Sequence, residues 1–203
     1  MKITTVLFDL GGVLIDWNPR YVFKHYFDDV EKMEWFLEKV CDSDWNEEQD
    51  AGRPLAEATA MKIAEFPEWE TEIRAFYGRW EEMLGKAIGG TVDILRGVRD
   101  NPNLRLYALT NWSAETFPVA QKRFDFLQWF EGIVMSGEEK TRKPFSDIYQ
   151  IVIDRYEVNP KETVFIDDNL RNCQAAEAMG FNVVHFISPE DTLTKLKEFE
   201  VEI

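Results

Sequence analysis

The chain is poor in cysteine, short of basic residues and without a long apolar run. Its two cysteines, Cys41 and Cys173, lie far apart; no disulfide framework is needed, and two buried or partly buried thiols in a reducing compartment are expected. The first apolar stretch follows a single lysine and is far too short for a signal sequence or a membrane span. A cytoplasmic protein without membrane contact is therefore expected. Lys and Arg number 23 against 38 Asp and Glu, a formal net charge of −15. With no basic stripe against that background, nucleic acid and anionic membrane surfaces are repelled, and neither is expected as a partner. Internal repeats, low-complexity tracts and long linkers are also lacking.

At 203 residues the chain can bury one core domain plus a small insert. Residues 3–8, 105–109, 132–135, 163–166 and 182–186 read as strands interleaved with helical patterns, which implies a parallel sheet covered by helices. One helix is expected from Thr91. Another is expected after Ser188-Pro189-Glu190-Asp191, where a serine cap precedes proline and acids in the first turn. From Asp16 to about Gly85 the strand signal disappears. That stretch reads as amphipathic helices rich in aromatics, broken at Asp50-Ala51-Gly52-Arg53-Pro54, with residues 47–52 acidic and a candidate mobile segment. Trp17, Trp35, Trp45, Trp69 and Trp80 are expected to form its core, one or two of them lining a cleft. The expected fold is α/β: a Rossmann-like parallel core from residues 1–16 and 88–203, and a small α-helical cap, residues 17–87, inserted after the first strand. Hinges are expected at residues 16–19 and 85–90, and closure would exclude water.

Chemistry-bearing residues recur where strands end. Val6-Leu7-Phe8 stops on Asp9 and continues as Leu10-Gly11-Gly12-Val13, delivering one carboxylate to the open end of a sheet. Alone, this fits either a turn or a nucleophile or metal ligand. The run 104–109 ends in Thr110-Asn111, by itself a helix cap. Lys143-Pro144 precedes a helical pattern of Phe145, Ile148, Ile151 and Val152. Thr163 to Ile166 ends in Asp167-Asp168-Asn169, ahead of a helix closing at Gly180, a candidate left-handed cap. Adjacent carboxylates there repel unless a cation joins them. Lys140, Arg142 and Lys143 form the dense basic cluster near these segments.

Aspartate, then threonine, then lysine, then paired acids, each at a strand-to-helix junction and in this order, resembles the four-motif pattern of the haloacid dehalogenase-like hydrolases. The resemblance covers essentially the whole chain. It implies a phosphatase acting on a small phosphorylated metabolite, as monomer or homodimer. Asp9 would attack phosphorus to form an aspartyl-phosphate. Mg2+ would bind Asp9, the Gly11 carbonyl, Asp167 and Asp168, because hard oxygen ligands suit that ion. Thr110 and Asn111 would contact phosphate oxygens or orient the substrate. Lys143 would balance the charge of Asp9 and phosphate and is not a base.

Gly11 departs from the pattern, standing where typical phosphatases of the family carry a second aspartate that protonates the leaving oxygen and then activates water. General acid–base help of that kind is worth roughly 10² to 10⁴ in rate. Three readings follow. A substrate such as a sugar 1-phosphate would leave without strong protonation, which fits a resemblance to the glucose-1-phosphate phosphatase-like branch; Arg20 or His25 would then contact substrate where the chain enters the cap. A metal-free 2-haloacid dehalogenase also lacks the second acid, but Asp167 and Asp168 would crowd its site. A phosphate-binding or regulatory protein without turnover would have little reason to keep all the motif residues together. Asp16 reads as a hinge or turn residue, and His25 and Glu48 are further candidates for a proton donor from the cap.

Overall fold

The computed structural model describes residues 2–203. Its seven strands are β1 Thr5–Phe8, β2 Ile15–Trp17, β3 Leu84–Ala87, β4 Arg105–Thr110, β5 Gly132–Met135, β6 Thr163–Asp167 and β7 Asn182–His185. Five of them form one sheet in the order β5-β4-β1-β6-β7, parallel throughout. This is the expected α/β architecture, and the five strands fall where the apolar runs predict them. The reason is burial on both faces. Val6 and Phe8 join a cluster with Ile94, Leu95 and Leu196 on one side. Leu7, Tyr107 and Phe165 pack with Ile148, Tyr149 and Val152 on the other. Parallel strands covered twice read as continuous apolar runs rather than alternating ones.

The strand order sends β4 and β5 to one side of β1 and β6 and β7 to the other, which puts the topological switch point between β1 and β6. Phe8 is level with Ala108 and Ile166, so Asp9 emerges level with Leu109 and Asp167 at the carboxyl edge, where open α/β sheets bind ligands.

Between β2 and β3 the chain is helical, and its aromatics build their own packing. Phe23 and Phe36 have ring centroids 5.0 Å apart, and Trp45 meets Phe76 at 5.2 Å. Trp45 and Trp80 are buried, whereas Trp17 and Trp69 are half-buried and Trp35 is exposed. The core reading thus holds for Trp45 and Trp80 and fails for Trp35, which lies against Trp69 on the surface. Strands β2 and β3, which the sequence does not signal, pair antiparallel with Ile15 opposite Ala87 and Trp17 opposite Leu84. They cover part of the stretches expected as hinges. Asp16 sits there too: it accepts a hydrogen bond from Tyr21 Oη, and a Cβ on Gly85 would strike its carboxylate. The hinge or turn expected there is instead a strand position.

The helix boundaries follow local chemistry. Ser188 Oγ accepts from the Asp191 amide ahead of Pro189–Glu198, and Gly180 has φ +91 after Leu170–Ala178. Among the described residues no helix is long and apolar enough to cross a membrane.

Candidate active site

The ends of β1, β2, β4 and β6 and the helices Ser43–Asp50 and Leu170–Ala178 converge on a cleft of about 280 Å³ that Asp9, Gly11, Asn111, Lys143 and Asp168 line, together with Trp17, Asn46, Glu47, Asp50, Trp80, Trp112, Asn169 and Asn172. A larger hollow of about 760 Å³ lies at the opposite edge of the sheet, by Ile3, Leu104 and Val201, and holds none of the motif residues.

Lys143 organises the cleft. It lies three residues before the helix Ser146–Tyr156 and is fully buried, with Nζ 2.9 Å from Asp9 Oδ1, 2.6 Å from Asp167 Oδ2 and donating to the Leu109 carbonyl at 3.0 Å. Burial works against its charge. Asp167 and Asp9 more than reverse that, so its pKa stands above the ordinary lysine value. Its backbone is clamped by Asn111, whose Oδ1 accepts from the Lys143 amide at 2.9 Å and whose Nδ2 donates to the Lys143 carbonyl at 3.0 Å. Asn111 thereby positions Lys143 while its side chain also lines the cleft. Of the basic cluster expected near the site, only Lys143 reaches Asp9. Arg142 pairs with Glu47 at 2.9 Å and Glu48 at 3.3 Å, and Lys140 donates to the Gly137 carbonyl at 2.8 Å.

Asp9 Oδ1 also accepts from the Leu10 amide at 2.7 Å, so one oxygen is fixed and Oδ2 is left to face the cleft. Burial pushes this carboxyl up to about 8; Lys143 pulls it down, and Asp167 and Asp168 push it further up. Oxygen atoms of Asp9, Asp167 and Asp168 lie within 4.8 Å of one another. Three hard oxygen donors at that spacing suit a magnesium-like cation, which would also draw Asp9 back toward its ionised form. The three acids are not equivalent. Asp167 Oδ2 is taken by Lys143 and Asn172, and Oδ1 by the Asn169 amide at 2.8 Å and Asn172 at 3.1 Å. Asp168 is exposed and lies against the Gly12 backbone so closely that a Cβ there would be 2.2 Å from Oδ2. Gly12, at φ +75, is favoured as glycine on both counts. Gly11 is not, since a Cβ on it would meet nothing within 4 Å.

Thr110 ends β4 with its hydroxyl buried and without a partner among the described residues, behind the cleft surface. Arg20 is not brought to the site. Its guanidinium forms two bonds to Glu34, with Nε 2.6 Å from Oε1, and it is half exposed. Proximity to the exit of β2 is what suggested it, and the short helix Arg20–Phe23 turns it away. His25 is exposed, and Glu48 faces Arg142. Cys173 donates to the Asp167 carbonyl, and burial pushes its thiol up to about 12, while Cys41 is also buried; both fit the expected inert thiols. The residue that sequence reasoning missed is Asp50, on the cleft wall.

The family model for haloacid dehalogenase-like hydrolases matches residues 3–180. A sesquiterpene phosphatase of Aspergillus oryzae is 27% identical over 193 residues, 95% of this chain and 94% of that one. A phosphorylated-carbohydrate phosphatase of Thermotoga maritima is 24% identical over 95% of this chain and 98% of its own. Among solved structures, an enzyme of the same family from Bacteroides thetaiotaomicron superposes with a TM-score of 0.72 at 26% identity, covering 93% of this chain and 95% of that one; it has also been solved with magnesium and inorganic phosphate.

Proposed function

Because the chain belongs to the haloacid dehalogenase-like hydrolases, we propose that it is a magnesium-dependent phosphatase of a small phosphorylated metabolite, working through an aspartyl-phosphate on Asp9. The observation that carries this reading is the buried Lys143 ammonium between Asp9 and Asp167, with Asp168 at the mouth of the same cleft. Support comes from the phosphatases among its relatives and from the magnesium and phosphate bound by the Bacteroides enzyme.

Phosphoryl transfer asks for an aligned nucleophile and neutralisation of the spectator oxygens rather than for covalent assistance. Leu10 and Lys143 hold Asp9 Oδ1, so Oδ2 attacks phosphorus. Lys143 supplies one fixed positive charge beside the transferring group. Asp9, Asp168 and the Gly11 carbonyl would hold Mg2+, with Asp167 beside them and chiefly aligning Lys143; bound there, the ion supplies charge neutralisation of the phosphoryl oxygens. The Thr110 hydroxyl, buried and without a partner among the described residues, would meet a phosphate oxygen by turning toward the cleft. Residues 17–87 act as the cap that closes the cleft, and its volume suits a monosaccharide-sized phosphate, a sugar 1-phosphate above all because its anomeric oxygen departs readily. Displacement at carbon by a metal-free dehalogenase would leave Asp9, Asp167 and Asp168 sharing the one ammonium of Lys143.

The test is phosphate release from a panel of sugar phosphates, acyl phosphates and an aryl phosphate, with magnesium and with chelator. Chelator-sensitive release that vanishes in Asp9→Asn is expected. Silence across the panel, or wild-type rates in Asp9→Asn, would refute the reading.

A further inference from the structure

A leaving oxygen that departs as an alkoxide needs a proton, and the loop after β1 has none to give, because Gly11 has no side chain. Any donor must come from elsewhere on the cleft wall. Glu47 is committed to Arg142 and Arg171, at 2.9 and 2.6 Å, and Asp167 to Lys143. Asp50 lines the same cleft as Asp9 and Asp168 and forms no ion pair among the described residues.

Asp50 is held firmly in that position. It is the last residue of the helix Ser43–Asp50, and its carbonyl accepts from Ser136 Oγ, which in turn accepts from the Trp112 amide at 2.9 Å. Asn46 Nδ2 donates to Asp50 Oδ2 at 3.1 Å. Two residues on, Gly52 at φ +99 lies where a Cβ would collide with Lys140 and come within 3.0 Å of the Gly137 carbonyl, so the turn lies directly on the core. A hydrogen-bonded relay thus runs from the end of β4 to this residue, fixing a carboxyl from the helical segment opposite a nucleophile from the sheet.

We propose, on the phosphatase reading above, that Asp50 is the general acid and base that the loop after β1 lacks. As Asp9 Oδ2 bonds to phosphorus and the ester P–O bond breaks, the Asp50 carboxyl gives its proton to the leaving oxygen. Asp50 carboxylate then takes a proton from the water that attacks the aspartyl-phosphate. The Asp9–phosphorus bond breaks, phosphate and the Asp9 carboxylate are released, and the Asp50 carboxyl is restored. Its surroundings suit both halves: burial pushes the Asp50 carboxyl up to about 7, with Glu47 adding to this, while the Ser113 amide, Arg142 and Lys143 favour the ionised form. Asp9 and Asp168, also facing the cleft, add negative charge nearby.

The test compares kcat/KM of wild type, Asp50→Asn and Asp50→Ser for a series of alkyl and aryl phosphates with magnesium, across pH. Expected in both variants is a loss of about 10² to 10⁴ for alkyl phosphates and less than tenfold for a nitrophenyl phosphate, together with disappearance of the fall in kcat/KM above neutral pH. The second variant keeps the question answerable if the first fails to fold. Equal losses across the series, or an unchanged alkaline limb, would overturn the assignment of Asp50 while leaving the phosphatase reading standing. A wild-type enzyme inert toward every alkyl, aryl and sugar phosphate with magnesium would overturn both.

Discussion

Gly11→Asp is the substitution that most directly separates a missing acid from a relocated one. A Cβ at residue 11 meets nothing within 4 Å and needs no left-handed backbone, so the steric effect on stability should stay within about 0.5 kcal/mol. The charge effect is larger. Two carboxylates about 6 Å apart at an effective dielectric of about 20 repel by about 3 kcal/mol, and Asp9, Asp167 and Asp168 already share this edge with the single buried cation Lys143. The melting temperature should therefore fall in chelator and recover with magnesium. For activity, the informative comparison is a double-mutant cycle with Asp50→Asn, scored as kcat/KM for an alkyl phosphate. Where Asp50 supplies the proton, Gly11→Asp changes the wild type less than tenfold but restores about a hundredfold in the Asp50→Asn background, a coupling of about 2.7 kcal/mol. The same gain in both backgrounds would mean that no acid acts in the wild type. No gain in either would mean that leaving-group protonation does not limit this enzyme.

Lys143→Met leaves Asp9 and Asp167 buried without their cation and should cost about 3 to 5 kcal/mol in chelator; the loss should shrink as pH falls and the carboxyls protonate, measured by thermal unfolding between pH 5 and 8, and a loss independent of pH would refute the charge argument. Asp50, held above the ordinary carboxyl range, contributes stability that is full at acid pH and lost as pH rises toward 7. It is worth on the order of a few kcal/mol before discount for its partial exposure. Asp50→Asn should flatten the wild-type slope of denaturant stability over that window, and an unaltered slope counts against the burial argument. Arg20→Ala should leave kcat/KM within about twofold and cost under about 1 kcal/mol, because its partner Glu34 and the solvent hold it away from the cleft; a loss above tenfold would return Arg20 to the substrate.

The sheet was legible because each central strand is buried on both faces and so appears as an unbroken apolar run ending in a polar residue. The order of those endings also located Asp9, Lys143, Asp167 and Asp168 at one edge. Three features were not legible, each for a physical reason. Strands β2 and β3 have three and four residues, too short for a period, and pair only because the chain leaves and rejoins the core side by side. The aromatic content of the helical segment shows that it has a core but not which face each ring takes, so composition does not set the exposed Trp35 apart from the buried Trp45. The strand end places Asn111 on the cleft, but that its side chain also clamps Lys143 depends on a loop 32 residues away.

Asp50 shows the same limit from the other side. The run Asp50-Ala51-Gly52-Arg53-Pro54 reads as a break between helices and an acidic, mobile stretch, and the break is real. What composition could not convey is that the turn is bonded to the core: Ser136 holds the Asp50 carbonyl, Gly52 lies on Gly137 and Lys140, and Glu47 bridges Arg142 and Arg171. These contacts give the two halves of the chemistry different supports. Asp9, Lys143, Asp167 and Asp168 are fixed by the sheet and its adjoining loops, whereas the proposed proton donor is fixed by the seating of a helix from the segment between β2 and β3. With the acid proposed at Asp50, the nucleophile would remain aligned without it, and full catalysis toward poor leaving groups would require the helical segment to be seated. On the proposed role of Asp50, closure of the segment between β2 and β3 would be a condition of proton transfer as well as of water exclusion.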